Sequence, residues 1–285
     1  MSAIAYITDS KMLELHRLNA HRTMNFWRLS NNNNFSDFKV GDIVFFLSKD
    51  REQMNNKEKG IVGYGRLASI NLNSIKYMWD KYGILNGYNT YEEFKDAIRK
   101  VSKNRKLPNR ISSFYLQNVT FFQNPIYLSE CGMKISNNIE SYIYLKDESV
   151  VLRIFALAKG NMDLWSNDDD YEGRIEREEI AYCLGVVRDQ IGDMPISEDK
   201  KKKARKSLAK YADYINIRGS ETEAYHIREN NLDIIFFHDK DIETRLIIGQ
   251  KCLYESYIYD IYPYDLNVTY HTSDNDEIIN KLLSR

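Results

Sequence analysis

Asn25-Phe26-Trp27-Arg28-Leu29-Ser30, Lys39-Val40-Gly41-Asp42-Ile43-Val44-Phe45-Phe46 and Gly60-Ile61-Val62-Gly63-Tyr64-Gly65 are the runs that decide how this chain begins to fold. They read as strand, turn, strand, turn, strand. Phe26 to Leu29 is a short aromatic and aliphatic run, and Gly41-Asp42 supplies a tight turn. Ile43 to Leu47 is continuously apolar, and Gly60 to Leu67 alternates around three glycines. Glycines inside a strand pattern mark a bulge or a close approach to the backbone.

Outward from this stretch, Ala3 to Ile7 predicts a first strand. Asp9-Ser10 then cap a helix from Lys11 to about His21, with Met12, Leu15 and Leu18 at helical spacing. Asn31 to Asn34 is a polar loop. Two helices are expected in the insertion that follows the third strand, Ile75 to Tyr82 and, behind a Thr90 cap, Tyr91 to Val101. Strands fill Ile111 to Leu145, and a helix capped by Asp147 or Ser149 runs to about Ala158. A glycine, the acidic run Asp168 to Asp170 and a change in net charge coincide between Lys159 and Gly173, which suggests domains at 1–160 and 161–285. The second part reads as helices first, Ile175 to Asp189 and Ser197 to Tyr214. Strands follow at Leu232 to Phe237, Arg245 to Gln250 and Tyr257 to Tyr262, the last extended by Leu266 to Tyr270, and a helix from Asp276 to Leu283 closes the chain.

The three opening strands resemble the EVE, YTH and ASCH domains of the PUA-like superfamily. The run Ile111-Ser-Ser-Phe-Tyr-Leu-Gln-Asn-Val-Thr-Phe-Phe122, followed by Gln123-Asn124-Pro125-Ile126, is similar to the later strands of an EVE-type barrel. Ser141 to Leu145 and the helix after it look like the closing strand and terminal helix. The resemblance covers about the first 160 residues. It implies an α+β protein: an N-terminal PUA-like β-barrel with helices, then a smaller mixed α/β domain serving oligomerisation or effector contact. It also implies nucleic-acid binding, with capture of a flipped and modified base. By the same analogy the setting is restriction of phage.

The charge of the chain is divided unevenly. Residues 1–160 carry 23 Lys and Arg against 15 Asp and Glu, and the remainder carries 17 against 26. A basic N-terminal part suits a polyanion, whereas the acidic remainder does not lie along DNA over most of its surface. Cys131, Cys183 and Cys252 are far apart and form no C-x-x-C pair, which argues against a disulfide framework or zinc knuckle and fits a reducing cytoplasm. The N-terminus lacks the layout of a signal peptide, and no apolar run approaches a membrane span. A soluble, cytoplasmic protein without a membrane partner is expected.

A flipped base needs an aromatic face and a few polar groups at its edge. Trp27, Phe46 and Tyr64 are candidate faces, with Ser30, Ser48 and Asn118 as polar contacts. Trp27 and Phe46 can equally be barrel core. Alternation sends Phe45 and Phe46 to opposite sides, so only one of them can line a pocket. Lys95, Arg99, Lys100, Lys103, Arg105, Lys106 and Arg110 are candidate phosphate contacts. The basic run Lys200 to Lys203, with Arg205, Lys206 and Lys210, is ambiguous, because it can simply balance neighbouring acids.

Nucleic acid is the expected partner, DNA ahead of RNA, and no cofactor is expected for a reader. One alternative is a modification-dependent endonuclease with a divergent PD-(D/E)xK site, which holds Mg2+ between two acids and a lysine on adjacent strands. Asp233, Glu243 and Arg245 are its weak candidates, with Glu221 or Glu223 as the helical acid, and arginine in place of lysine counts against it. Another is an RNA-binding PUA-like protein. His16 and His21, five apart on a helix, make a poor metal pair.

Overall fold

The computed structural model describes residues 3–29, 37–52, 57–135, 139, 141–166, 169–192, 195–229, 231–261 and 266–285. The chain is a mixed α+β protein that divides into two compact units, Ser2–Ile175 and Glu176–Arg285.

In the first unit, β1 (Ala3–Thr8), β2 (Met24–Arg28), β3 (Ile43–Glu52), β4 (Lys59–Asn73), β5 (Ile111–Ile126) and β6 (Tyr142–Leu145) form one sheet in the order β2-β5-β4-β3-β1-β6. β1 runs parallel to β3, with Ala3 opposite Ile43, and antiparallel to β6. The remaining pairs are antiparallel. Among the described residues no pairing joins β2 to β6, so the expected barrel is an open sheet in its hydrogen bonding.

The glycines of β4 do have something close to them, and it is the neighbouring strand. A Cβ at Gly63 would lie 2.4 Å from the Thr120 carbonyl oxygen, and one at Gly65 would lie 3.0 Å from the Leu116 Cβ. The β4–β5 register shifts between Tyr64 opposite Thr120 and Arg66 opposite Gln117. Asn118 sits at that break with φ 52°, a left-handed conformation that asparagine tolerates better than most residues.

Both faces of the sheet are covered. On one, Ile4, Met24, Phe26, Phe46, Phe114 and Phe121 share a core. On the other, Phe45 and Tyr64 pack on Phe155 of α4 (Glu148–Lys159). α4 buries Val150, Val151, Ile154, Phe155 and Ala158, a helical stripe, and Asp147 is its N-cap, accepting from the Ser149 N–H.

The insertion forms α2 (Ile75–Tyr82) and α3 (Tyr91–Val101), as the cap and spacing predict. Thr90 and Glu93 close a reciprocal capping box, and Phe94 and Ile98, one turn apart, join Ile75, Met78 and Ile111 in a second core. α1 (Ser10–Leu18) begins at the Asp9 cap but stops short of His21. Ala20 turns left-handed (φ 48°), and the His21 N–H reaches back to the His16 carbonyl, which ends the helix in a Schellman turn.

The second unit contains most of α5 (Tyr171–Ile191), then α6 (Glu198–Leu208), β7 (Ile215–Asn216), β8 (Glu223–Arg228), β9 (Asn231–Phe236), α7 (Thr244–Ile261), β10 (Asn267–Thr272) and α8 (Glu277–Leu283). Its sheet runs β10-β9-β8-β7, with β10 parallel to β9. Leu208 of α6 packs with Ala224 and Ile235. The expected strands Arg245 to Gln250 and Tyr257 to Tyr262 are instead, as far as Ile261, one helix, α7, with Tyr262 outside the described residues. Its buried residues, Ile247, Gln250, Lys251, Tyr254 and Ile258, follow helical spacing, and this packing overrides the strand preference of its β-branched and aromatic residues. No helix among the described residues is long and apolar enough to cross a membrane.

Candidate nucleic-acid interface

An open cleft of about 900 Å3 lies between the ends of β1 and α1, Trp27 of β2, and α3. Trp27 stands half-buried at its wall, edge-on to Phe94 with ring centroids 5.8 Å apart. Asp9, at the end of β1, does two jobs. One carboxylate oxygen accepts from the Lys11 N–H at 3.2 Å, capping α1, and the other accepts from the Tyr88 hydroxyl at 2.9 Å. Burial and the Asp9 charge both push the Tyr88 phenol far above its ordinary range, so it stays protonated and donates.

Tyr88 reaches Asp9 because the chain before it approaches α1 closely. Gly87 has φ 87°, and a Cβ there would lie 2.3 Å from Met12 Cγ. The same segment is pinned to β2 by a buried amide pair. Asn25 Nδ2 donates to Asn86 Oδ1 at 2.8 Å, and Asn86 in turn donates to the carbonyls of Met78 and Gly83. Lys11, Asn89, Glu93, Asp96 and Lys100 also line the cleft, which therefore offers an aromatic wall, hydrogen-bonding groups, two cations and, with Asp9, three carboxylates.

Of the described residues expected to read a base, Trp27 alone lines this cleft. Phe46 is fully buried, parallel to Phe26 and next to Phe121. Tyr64 is fully buried against Phe45, Phe122 and Phe155. Both are core, on opposite faces: Phe46 packs in the Phe26–Phe114–Phe121 cluster, and α4 covers Tyr64 through Phe155. Neither Phe45 nor Phe46 is available to a ligand. Ser48 is buried 3.3 Å from Ser10, beside a separate cavity of about 190 Å3. Asn118 serves the β5 bulge, and Ser30 lies outside the described residues.

The basic segment splits in two. Lys95 is held 2.6 Å from Glu92 and lies over the Tyr91 ring, and Arg99 pairs with Asp96. Lys100 lines the cleft. Lys103, Arg105, Lys106 and Arg110 are exposed, and none has an ion-pair partner among the described residues. The run on α6 is largely neutralised: Lys201 by Glu198, Lys203 by Asp239 and Arg205 by Glu221.

The residues offered for a metal-dependent nuclease do not converge. Asp233, inside β9, faces His271 Nε2 at 3.3 Å. Glu243 and Arg245 pair with each other at the exposed start of α7, not on a strand. Glu221 pairs with Arg205. Glu223 lies on β8 rather than on a helix and is completely buried, held by Arg188 Nε at 3.4 Å and by Gln250 and Tyr254. Among the described residues no three His, Cys, Asp or Glu side chains are grouped to hold a metal ion. These residues do not fit a Mg2+ site.

His16 and His21, expected to make a poor metal pair, are in contact with each other. The Schellman turn folds His21 back until the two Nδ1 atoms are 3.0 Å apart. Burial and the neighbouring ring push the His16 imidazole down to about 3, and burial lowers His21. One neutral ring therefore donates to the other. Asp9, Tyr88 and Asn89 were also missed as site residues. Only the Asp9 cap gave a sequence signal, and it pointed to a helix rather than to a cleft.

No family model matches this sequence, and no curated protein does. Among solved structures, the chain is similar to ASCH from Zymomonas mobilis at 12% identity and a TM-score of 0.39, covering 54% of this chain and 94% of that one. It is also similar to a protein from Pseudomonas syringae at 15% identity and a TM-score of 0.33, covering 55% and 99%.

Proposed function

We propose that the first unit is a divergent PUA-like nucleic-acid-binding module that takes one unpaired or flipped base into the cleft at Trp27. The indole supplies the stacking face. Asp9, Tyr88 and Asn89 meet the base edge, and Lys100, Lys103, Arg105, Lys106 and Arg110 follow the phosphates. The observation that carries this reading is the open cleft, walled by a half-buried tryptophan and lined by Lys100, which four exposed cations without an ion-pair partner among the described residues follow in sequence.

DNA carrying a modified base is the preferred substrate class, by the sequence resemblance, and the second unit serves oligomerisation or effector contact. The test uses the full chain with unmodified, 5-methylcytosine and 5-hydroxymethylcytosine duplexes and with matched RNA, with and without Mg2+ or Mn2+. A shift of one modified duplex without cutting is expected. Preference for RNA would replace the DNA assignment, and metal-dependent cutting would make the protein a nuclease.

A further inference from the structure

The inner side of α7 is accounted for by Ile247, Tyr254 and Ile258, which are buried. Its outer side is unusual for a helix turned to water, which normally carries charge. Between Arg245 and Asp260 no exposed residue is charged. The two charged residues in that interval, Lys251 and Glu255, are buried and half-buried and pair with each other at 3.4 Å. Leu246, Leu253 and Tyr259 are exposed instead, Tyr259 by 74%. Gly249, Cys252 and Ser256 lie among them, so the middle of the face is shallow. Glycine weakens a helix interior, and a Cβ at Gly249 would meet nothing within 4 Å. No packing among the described residues accounts for that glycine; the close approach of a second backbone would.

The face reads alike from both ends. Arg245 is matched by Asp260, Leu246 by Tyr259, Gly249 by Ser256 and Cys252 by Leu253, each pair equidistant from the point between Cys252 and Leu253. A two-fold interface demands this kind of pattern, because residue i meets j while j meets i. Two copies of α7 crossing antiparallel at that point would set charge on opposite charge, apolar on apolar and small on small. Asp260 has no ion-pair partner among the described residues. Arg245 pairs with Glu243 at the exposed start of the helix, but a guanidinium has five N–H donors and can serve a second carboxylate as well.

We propose that this face of α7 is a self-association surface whose occupant is α7 of a second copy of this chain, antiparallel about a two-fold axis beside Cys252. This rests on the oligomerisation reading of the second unit and gives it a surface. The symmetry favours a second copy over an unrelated protein, which would not require the two ends of the face to carry opposite charges. Four turns of paired helix make a small interface, so the dimer should dissociate on dilution to about 1 µM.

The experiment is sedimentation equilibrium of the full chain from about 1 to about 100 µM, over which the wild type should pass from monomer to dimer. Leu253→Glu, at an exposed position, should stay monomeric with an unchanged circular dichroism spectrum. Gly249→Leu should associate about tenfold less tightly without a lower thermal midpoint, because leucine is the better helix former. Arg245→Glu should weaken association, and adding Asp260→Arg should restore it. A short bis-maleimide should join two chains through Cys252, the exposed one of the three cysteines. Failure of the double reversal to restore association would overturn the antiparallel pairing. A wild type that dimerises no better than Leu253→Glu and Gly249→Leu would overturn the face and leave the oligomerisation reading standing. A monomer at every concentration would remove both, and nucleic-acid binding by the first unit would stand apart from either result.

Discussion

Around Trp27, the polar groups of Asp9, Tyr88 and Asn89 border open space, whereas in the second unit Glu223 is enclosed by Arg188, Gln250 and Tyr254. Both regions pair their ionisable side chains internally, but the Asp9–Tyr88 pair borders open space and the Glu223 network is enclosed. A buried carboxylate contacted by a guanidinium, an amide and a phenol has little capacity left for a metal or a substrate. The number of acids in a segment therefore says less about chemistry than whether they border open space.

The largest expected effect breaks the enclosed side of this contrast. Glu223→Ala removes the buried carboxylate that faces Arg188 Nε and accepts from Gln250 and Tyr254, and should cost about 3–5 kcal/mol in urea denaturation, with Glu223→Gln losing less. If Glu223→Ala unfolds like the wild type, the network is not structural, and Glu223 returns as a candidate for chemistry. On the open side, Trp27→Ala should weaken binding of an unpaired base by about 1–3 kcal/mol, scored in a variant whose circular dichroism matches the wild type.

The His16–His21 contact supplies a pH-dependent term. Both rings are neutral in the fold, and an unfolded histidine gains its proton near pH 6.5. Stability is therefore complete above about pH 6.5 and falls as pH drops toward 3, by about 1.4 kcal/mol per unit for His16. His16→Gln should flatten the difference between denaturation curves at pH 7 and pH 5. An unchanged difference would place the charge change elsewhere. Replacing Lys103, Arg105, Lys106 or Arg110 singly by Gln should reduce the salt slope of binding by about 0.7 to 0.9 each, whatever the sequence bound. Smallest of all, Glu243→Ala, which breaks an exposed pair, should leave both stability and nucleic-acid binding as they were.

Much of the first unit was legible because its signals are local. The Thr90 cap with Phe94 and Ile98 one turn apart defines α3 without reference to anything distant, and Asp9 and Asp147 likewise mark helix starts. The second unit was harder. The β-branched and aromatic residues of α7 suggest strands until the sheet it packs on is known, and β8 mixes glutamate, histidine and arginine into a strand too short to alternate clearly.

The cleft was the least legible part. Tyr88 and Asp9 are 79 residues apart, and nothing in either neighbourhood announces the other. Phe46 and Tyr64 were misread for a related reason: alternation separates two faces, but it cannot say that both are covered.

The measurement that tests the central claim most directly is equilibrium binding of a labelled hairpin with one unpaired base, at several salt concentrations, to the wild type and Trp27→Ala. The wild type should bind in a salt-dependent way, and Trp27→Ala should bind about tenfold less tightly with the same salt slope, because the phosphate contacts are retained. Equal affinities, or wild-type binding that does not respond to salt, would contradict that claim.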